Sequence, residues 1–107
     1  MANISSIDAQ EFKQKLDSGE YSLIDIRTEM EYKQGRIADC PNIDIYSQDF
    51  ENKIKELDKN KKYLIYCFSG SRTKAALSLM QSLGFEEVYD LSGGIQVWGM
   101  HGFDLIS

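Results

Sequence analysis

The sequence predicts an α/β fold in which a mainly parallel sheet lies between helices on both faces. Short β-prone segments alternate along the chain with segments whose apolar residues recur at helical spacing, and this alternation is typical of parallel sheets. Residues 62–66 form a nearly unbroken apolar run, which indicates a central strand covered on both faces. Ligands of such sheets bind beyond the carboxyl ends of the strands.

The start of the chain predicts a strand, a helix and a second strand. A short strand begins at Ile4. Asp8 and Glu11 have the spacing of a capping box, and Gly19 ends the helix that they open. The β-prone run at 21–26 predicts the next strand.

The next segment predicts a short helix, a third strand and an amphipathic helix. Thr28 and Glu31 form a second capping box, and the helix that follows ends near Gly35. Residues 41–45 are expected to form a strand. The apolar spacing within 50–57 is helical, and its charged residues form a solvated face.

The remaining segments repeat the alternation of strand and helix. The strand at 62–66 is followed by a helix from about Arg72 to Gly84, then by a short strand at 87–90. A glycine turn at 93–94 leads into a short helix around 95–98. The residues expected on the buried side of the long helix are Ala75, Ala76, Leu79, Met80 and Leu83.

Length, composition and charge predict one compact domain over residues 1–107. The chain has 107 residues, and 42% of them are hydrophobic, which is enough to bury a core. The formal net charge of -5 disfavours a broad affinity for nucleic acid or for an anionic membrane surface, so neither is expected as a partner. The N-terminus has no basic start or long apolar run, so a cytoplasmic location is expected.

The cysteine content excludes a disulfide scaffold and a zinc site. The chain has two cysteines, Cys40 and Cys67, and a lone histidine, His101. This set lacks both a C-x-x-C pair and the roughly four ligands that zinc requires, so no metal and no other cofactor is expected. Cys40 is most simply a packing residue, and the alternative is that it resolves an oxidised Cys67.

The loop that follows the central strand carries the chemistry. Cys67 is its first residue, and a helix begins about five residues later, so the loop amides can form an anion-binding nest at a helix N-terminus. Gly70 permits the left-handed backbone that such a loop needs. These features favour the thiolate of Cys67 and would equally stabilise a persulfide. The alternative is that Cys67 is a small buried hydrophobe.

The other residues of this loop, Phe68, Ser69, Ser71 and Arg72, complete the expected binding site. The two serines add hydroxyl donors, and Arg72 adds a positive charge near the mouth. Four residues separate Cys67 from Arg72.

A series of motifs in this order and spacing resembles the rhodanese family. The motifs are Asp25-Ile26-Arg27, Glu31-Tyr32, Gly35-Arg36-Ile37, Asn42-Ile43, the loop from Tyr66 to Arg72, Gly93-Gly94 with Trp98, and Gly102-Phe103. The resemblance implies a three-layer fold with a five-stranded parallel sheet and a persulfide intermediate on Cys67. It also implies thiosulfate and other sulfane-sulfur donors as substrates.

The resemblance also suggests supporting roles, and the sequence departs from the family pattern at Arg36 and Phe68. It implies that Asp25 orients the loop and that Arg27 pairs with Glu31. Arg36 stands where the family usually has histidine; it could extend the positive mouth, although a cation that ends a helix is the commoner reason for such a residue. Phe68 stands where many thiosulfate-using members have arginine, which disfavours thiosulfate but not persulfide chemistry.

These observations together predict a sulfurtransferase that acts by double displacement. Sulfane sulfur would pass from thiosulfate or a low-molecular-weight persulfide to Cys67, and then to cyanide, a small thiol or a protein cysteine. The first alternative is a phosphatase or arsenate reductase of this fold. It is disfavoured because those enzymes have a loop one residue longer. A persulfide carrier or a partner-binding module is the second alternative.

Overall fold

The computed structural model describes residues 2–107 and contains nine regular elements in that range. The strands are β1 (Asn3–Ile7), β2 (Ser22–Asp25), β3 (Lys62–Tyr66) and β4 (Glu87–Leu91). The helices are α1 (Ala9–Ser18), α2 (Glu29–Gln34), α3 (Phe50–Lys55), α4 (Arg72–Ser82) and α5 (Gly94–Met100). Within the same residues, no helix has the length and apolar character that crossing a bilayer requires.

The four strands form one sheet in the order β1-β4-β3-β2, and every pairing in it is parallel. The predicted α/β class is therefore confirmed. Because the strands are parallel, the carboxyl ends of β2, β3 and β4 meet at one edge of the sheet. Asp25, Cys67 and Asp90 lie at this edge.

Both faces of the sheet are covered by helices, as expected. Successive side chains of a strand point to opposite faces, so β3 contributes to two separate apolar clusters. Tyr63 and Ile65 pack in the cluster that contains residues of α3 and α4, namely Phe50, Ile54, Ala76 and Met80. Leu64 and Tyr66 pack in the cluster that contains residues of α1 and α5, namely Ala9, Phe12, Ile95 and Trp98.

The expectation of a fifth strand at 41–45 was wrong. Residue Asn42 forms only an isolated parallel bridge with Asp25. Proline has no N–H to donate to a ladder, so Pro41 cannot extend the pairing in one direction. In the other direction the amides of Ile43 and Ile45 still donate to the carbonyls of Asp25 and Ile26. A turn then ends the segment, and in it the Asp44 carboxylate accepts a hydrogen bond from the Tyr46 amide at 2.8 Å.

Of the two predicted capping boxes, the one that opens α2 is complete, whereas the one that opens α1 has only the hydrogen bond to the Asp8 carboxylate. The Asp8 carboxylate accepts from the Glu11 amide at 2.9 Å at the start of α1, and Gly19 ends that helix with a φ of 76°. At α2 the Thr28 hydroxyl accepts from the Glu31 amide at 3.2 Å, and the Glu31 carboxylate accepts from the Thr28 amide at 3.1 Å.

The buried side of α4 differs in part from the expected one. The helix buries Thr73, Ala76 and Met80, with Leu79 and Leu83 partly buried. Ala75 was expected to be buried and is exposed. Thr73 takes its place on the buried side because its hydroxyl finds polar partners there, as described below.

Candidate active site

Cys67 lies directly after β3, where the chain leaves the sheet for the N-terminus of α4. It is fully buried. Its Sγ accepts a hydrogen bond from the Gly70 amide at 3.1 Å. Gly70 has a φ of 92°, a left-handed conformation that favours glycine, and this conformation turns its amide back to the sulfur. The loop therefore curls around Cys67, and one of its amides faces the sulfur.

The first turn of α5 lies against the other side of this loop. The amide of Ile95 donates to the Cys67 carbonyl at 2.9 Å, and the amide of Gln96 donates to the Phe68 carbonyl at 3.1 Å. A Cβ atom added to Gly94 would lie 2.5 Å from the Cys67 carbonyl oxygen and 2.4 Å from that of Phe68. This close approach fixes the backbone that carries the sulfur.

The N-terminus of α4 faces the loop without a side-chain cap. Ser71 is the N-cap residue, and its hydroxyl makes no capping hydrogen bond. The Ser69 and Ser71 hydroxyls are exposed and lie 3.4 Å apart. The first N–H groups of an α-helix have no partner within the helix, so this end of α4 offers donors and the positive end of a dipole.

Arg72 makes a two-point ion pair with Glu31. Its Nη1 donates to Oε1 of Glu31 at 2.8 Å, and its Nη2 donates to Oε2 at 2.9 Å. The hydrogen bond from Arg72 is the main reason why the pKa of Glu31 falls from 4.5 to about 2. The expected pairing of Arg27 with Glu31 was therefore wrong. The positive charge expected near the mouth is present, but Glu31 balances it.

Asp25 and Arg27 form a second, deeply buried pair beneath the site. The Asp25 carboxylate accepts from the Arg27 amide, from its Nη2 and from the Tyr66 hydroxyl, each at 2.7 Å. Arg27 also donates to the Gly35 carbonyl at 2.5 Å. Burial opposes the charge of Arg27, but the hydrogen bond and charge of Asp25 outweigh it and raise the pKa of the guanidinium.

This pair joins the ends of β2 and β3 to the segment after α2. The side-chain amide of Asn42 donates to the Arg27 carbonyl at 2.9 Å and completes the connection. Burial, followed by the charge of Asp25, raises the pKa of Tyr66, so its hydroxyl keeps its proton. Asp25 thus contacts the residue before Cys67, which is the geometry of a supporting role.

Arg36 points away from the loop. Its Nη2 donates to the Asp39 carboxylate at 3.0 Å, and its guanidinium lies 4.7 Å from the centre of the Tyr32 ring. Within residues 2–107, none of its hydrogen bonds or ion pairs involves residues 67–72. These contacts fit the simpler expectation, a cation near the end of a helix.

Two residues of the site were not predicted from the sequence. The Thr73 hydroxyl lies 4.0 Å from the sulfur of Cys67. Its single proton has two acceptors within reach, the Asp90 carboxylate at 2.5 Å and the Gly70 carbonyl at 3.0 Å. Asp90 is almost fully buried and also accepts a hydrogen bond from the Ser6 hydroxyl. The available signal was an acidic residue between Tyr89 and Leu91, near the end of β4.

Cys40 is separate from the loop. Both cysteines are free thiols. The pKa of Cys40 is raised from 9.0 to about 11, mainly by burial and secondly by the charge of Asp25. It packs partly buried in the cluster that contains Leu23 and Tyr66, which fits the packing role expected for it.

The chain is similar in sequence to a protein family and to individual proteins of that family. The family profile described as Rhodanese-like domain matches residues 8–101. A sulfurtransferase from Allochromatium vinosum is 31% identical, and the match covers 97% of this chain and 96% of that protein. A tRNA uridine(34) hydroxylase from Cytophaga hutchinsonii is 38% identical, and the match covers 88% of this chain but 31% of the hydroxylase.

A solved structure agrees with this result. The crystal structure of a rhodanese-related protein from Thermoplasma volcanium superposes with a TM-score of 0.84 at 32% identity, and it covers 95% of this chain and 97% of the other.

Proposed function

The chain belongs to the family of Rhodanese-like domains, and from this premise we propose that it is a sulfurtransferase that carries sulfane sulfur on Cys67. The observation that carries the proposal is the hydrogen bond of 3.1 Å from the Gly70 amide to Sγ of Cys67, made at the N-terminus of α4. An amide and a helix dipole directed at one sulfur stabilise negative charge on that sulfur. A thiolate and a persulfide are both such anions.

The proposed reaction has two displacement steps. In the first, the Cys67 thiolate attacks the outer sulfur of thiosulfate, the bond between the two sulfurs of the donor breaks, and sulfite leaves with the electron pair. A low-molecular-weight persulfide donates in the same way and leaves as a thiolate. In the second, a thiol or cyanide attacks the outer sulfur of the persulfide, and Cys67 leaves as a thiolate. A protein cysteine is an equivalent acceptor.

The residues of the loop have different roles in this reaction. The Gly70 amide holds the anionic sulfur, and the loop from Phe68 to Ser71 encloses it. Arg72 fixes the start of α4 through Glu31, so its main contribution is to hold the helix end in place. Asp25 and Arg27 support the strand end that carries Cys67, and they do not touch the sulfur.

Two alternative functions, an oxyanion-processing enzyme and a persulfide carrier, predict different properties. A phosphatase or arsenate reductase would need a wider loop, whereas four residues separate Cys67 from Arg72 here and the Gly70 amide is directed at the sulfur itself. A persulfide carrier would use the same first step and would lack fast transfer to small acceptors. A putative sulfur carrier protein of Bacillus subtilis is 32% identical over 98 residues, and this observation favours the carrier as the second candidate.

The test is sulfur loading of the purified chain. We expect thiosulfate or glutathione persulfide to add one sulfur atom, detected by intact-protein mass spectrometry, and cyanide to remove it as thiocyanate. Cys67→Ser should abolish loading and remain folded by circular dichroism. Cys40→Ala is the matched control and should load as the parent does. Loading of folded Cys67→Ser, or Cys67-dependent hydrolysis of aryl phosphates, would refute the assignment.

A further inference from the structure

A cleft of about 430 Å³ opens along the free edge of β2, the last strand of the sheet, and no residue of the loop 67–72 lines it. Its apolar walls come from both faces of the sheet. Leu16 and Leu23 belong to the cluster that contains residues of α1 and α5, whereas Ile24, Leu57 and Tyr63 belong to the cluster that contains residues of α3 and α4. The cleft therefore presents apolar surface above and below the edge strand.

The backbone of β2 directs hydrogen-bonding groups into this cleft. In a strand, the N–H and C=O groups of successive residues point alternately to its two sides. The Ile26 amide donates to the Tyr66 carbonyl at 3.1 Å, towards β3, and the Asp25 amide donates to the Pro41 carbonyl at 3.0 Å, away from β3. Leu23 is two residues before Asp25, so its N–H and C=O also point away from β3. A continued parallel ladder would bring the N–H of residue 41 to the Leu23 carbonyl, but proline has no N–H.

These two backbone groups of Leu23 are open to a partner outside the chain. Within residues 2–107, neither of them makes a backbone hydrogen bond on the side of the cleft. Leu23 is only 7% exposed, and backbone groups in such covered positions are normally paired, because leaving them unpaired is costly. A strand that pairs with Leu23 would gain two hydrogen bonds and bury the apolar walls of the cleft.

The charge at the rim of the cleft is positive. Asp39 and Lys61 are the two charged residues of the lining. Asp39 accepts from Arg36 at 3.0 Å, and the neighbouring Lys62 lies 3.8 Å from Glu20. Among the ion pairs of residues 2–107, none includes Lys61. Lys61 therefore offers a charge that a carboxylate of a partner can match.

We propose that this cleft binds an extended peptide segment of a partner protein, which adds a strand to β2 and places an acidic side chain beside Lys61. In this mode of recognition the main chain supplies hydrogen bonds and alternate side chains fill pockets, and the two apolar walls suit alternate side chains. Because the edge is recessed, with Leu23 almost covered, a flexible segment reaches it more easily than the sheet edge of a second folded copy. The proposal does not depend on the chemistry of Cys67.

The experiment is a titration of the ¹⁵N-labelled chain with two peptides, acetyl-EVTVTVE-amide and acetyl-KVTVTVK-amide, followed by NMR of the backbone amides. The Leu23 amide resonance should shift. The Ile4 amide is the internal control and should not shift: the Asn3 amide donates towards β4, to the Glu86 carbonyl at 2.7 Å, so the next amide points to the open side of the other edge strand, β1.

The glutamate peptide should bind about two- to fivefold more tightly than the lysine peptide, the size of an exposed ion pair. N-methylation of the peptide amides removes their donors and should weaken binding by about fivefold or more. Lys61→Glu should reverse the preference between the two peptides. Lys59→Glu is the matched control, because Lys59 is exposed and does not line the cleft, and it should keep the parent preference.

Several results would overturn the proposal. These are a Leu23 amide that responds to neither peptide, equal shifts at Leu23 and Ile4, binding that survives N-methylation unchanged, and a parent preference retained by Lys61→Glu. A Leu23 shift that grows with protein concentration in the absence of peptide would assign the cleft to a second copy and would also overturn it. Sulfur loading of Cys67 is measured separately, so the proposed function stands or falls independently of these results.

Discussion

Glu31 connects two parts of the chain that are distant in sequence. Its carboxylate caps α2 through the Thr28 amide and pairs with Arg72 at the start of α4. One side chain thus fixes the two helix N-termini that stand beside the loop. Arg72 is consequently a charge with a fixed partner.

The stability contributed by Glu31 should depend on pH in a defined window. Its pKa in the folded chain is about 2, below the ordinary value of 4.5, so the folded state favours the ionised form. This contribution is present above pH 4.5 and is lost as the pH falls towards 2. At neutral pH, Glu31→Gln should lower the free energy of unfolding by about 1 kcal/mol, after allowance for partial exposure.

Urea denaturation of parent and Glu31→Gln proteins from pH 7 to 3 measures this difference. It should shrink steadily below pH 4.5, where the Glu31 carboxylate takes up a proton in the unfolded chain but stays ionised in the folded chain. A difference that stays constant over the whole range would show that Glu31 acts through capping geometry and not through its charge.

Thr73 is expected to position the loop through its hydroxyl. Thr73→Val keeps the shape but leaves the buried Asp90 without one of its donors, so stability should fall by about 1–3 kcal/mol. The Gly70 carbonyl would also lose its partner, and sulfur uptake by Cys67 should slow. Thr73→Ser keeps the hydroxyl and should retain most of the uptake rate. Equal uptake rates in the valine and serine variants would contradict this role.

Among the elements, α5 is the one that holds the loop from outside. Two amides of its first turn donate to consecutive carbonyls, those of Cys67 and Phe68. The approach is close enough that Gly94, with a φ of 65°, has no room for a side chain. Helix α5 thereby determines where the backbone of Cys67 lies, although it contributes no group to the sulfur.

A pair of glycine substitutions in α5 tests this arrangement. Gly94→Ala would place a Cβ 2.4 Å from the Phe68 carbonyl oxygen, so it should destabilise the fold by about 2 kcal/mol or more and impair sulfur uptake. Gly99→Ala meets nothing within 4 Å and should stabilise the helix by about 0.5–1 kcal/mol. Thermal denaturation and intact-protein mass spectrometry measure both effects. If the two variants behaved alike, the contact between α5 and the loop would not constrain the site.

The molecule as a whole is organised around β3, whose alternate side chains reach both apolar clusters. Leu64 and Ile65 are fully buried on opposite faces. Leu64→Ala and Ile65→Ala should each cost about 2–5 kcal/mol, whereas Met30→Ala, at a side chain that is 72% exposed, should stay within about 0.5 kcal/mol. Urea denaturation provides the comparison. A small effect on one face only would indicate that the corresponding helices pack loosely.

The features predicted from the sequence join residues a few positions apart, whereas the missed contacts join residues that are distant in the chain. The helix caps at Asp8 and Thr28 and the loop from Cys67 to Arg72 depend on spacings of a few residues, and these were predicted. The partner of Glu31 was assigned to Arg27, yet the ion pair joins residues 41 apart. The contact of Thr73 with Asp90 likewise depends on how α4 lies on β4. Such contacts follow from packing, which local patterns do not encode.

The wrong prediction of a fifth strand has a different cause, the interruption of backbone pairing within the segment itself. Residues 41–45 have β-prone side chains, but a strand also needs a continuous ladder of donors and acceptors. Pro41 interrupts that ladder, and the turn at Asp44 ends it. Local propensity was therefore a correct description of the side chains and a wrong prediction of the pairing.

The strand order has a consequence for synthesis on the ribosome. In this sheet β1 pairs with β4 alone, and Ser6 contacts Asp90, which is 84 positions further along the chain. The earliest strand to emerge must therefore wait, unpaired, until nearly the whole sheet has been translated. Helix α5 is made later still, and its amides hold the Cys67 carbonyl. Cys67, which we propose to carry sulfur, is thus synthesised before the helix that holds its backbone, and we expect its thiol to stay accessible until that helix has formed.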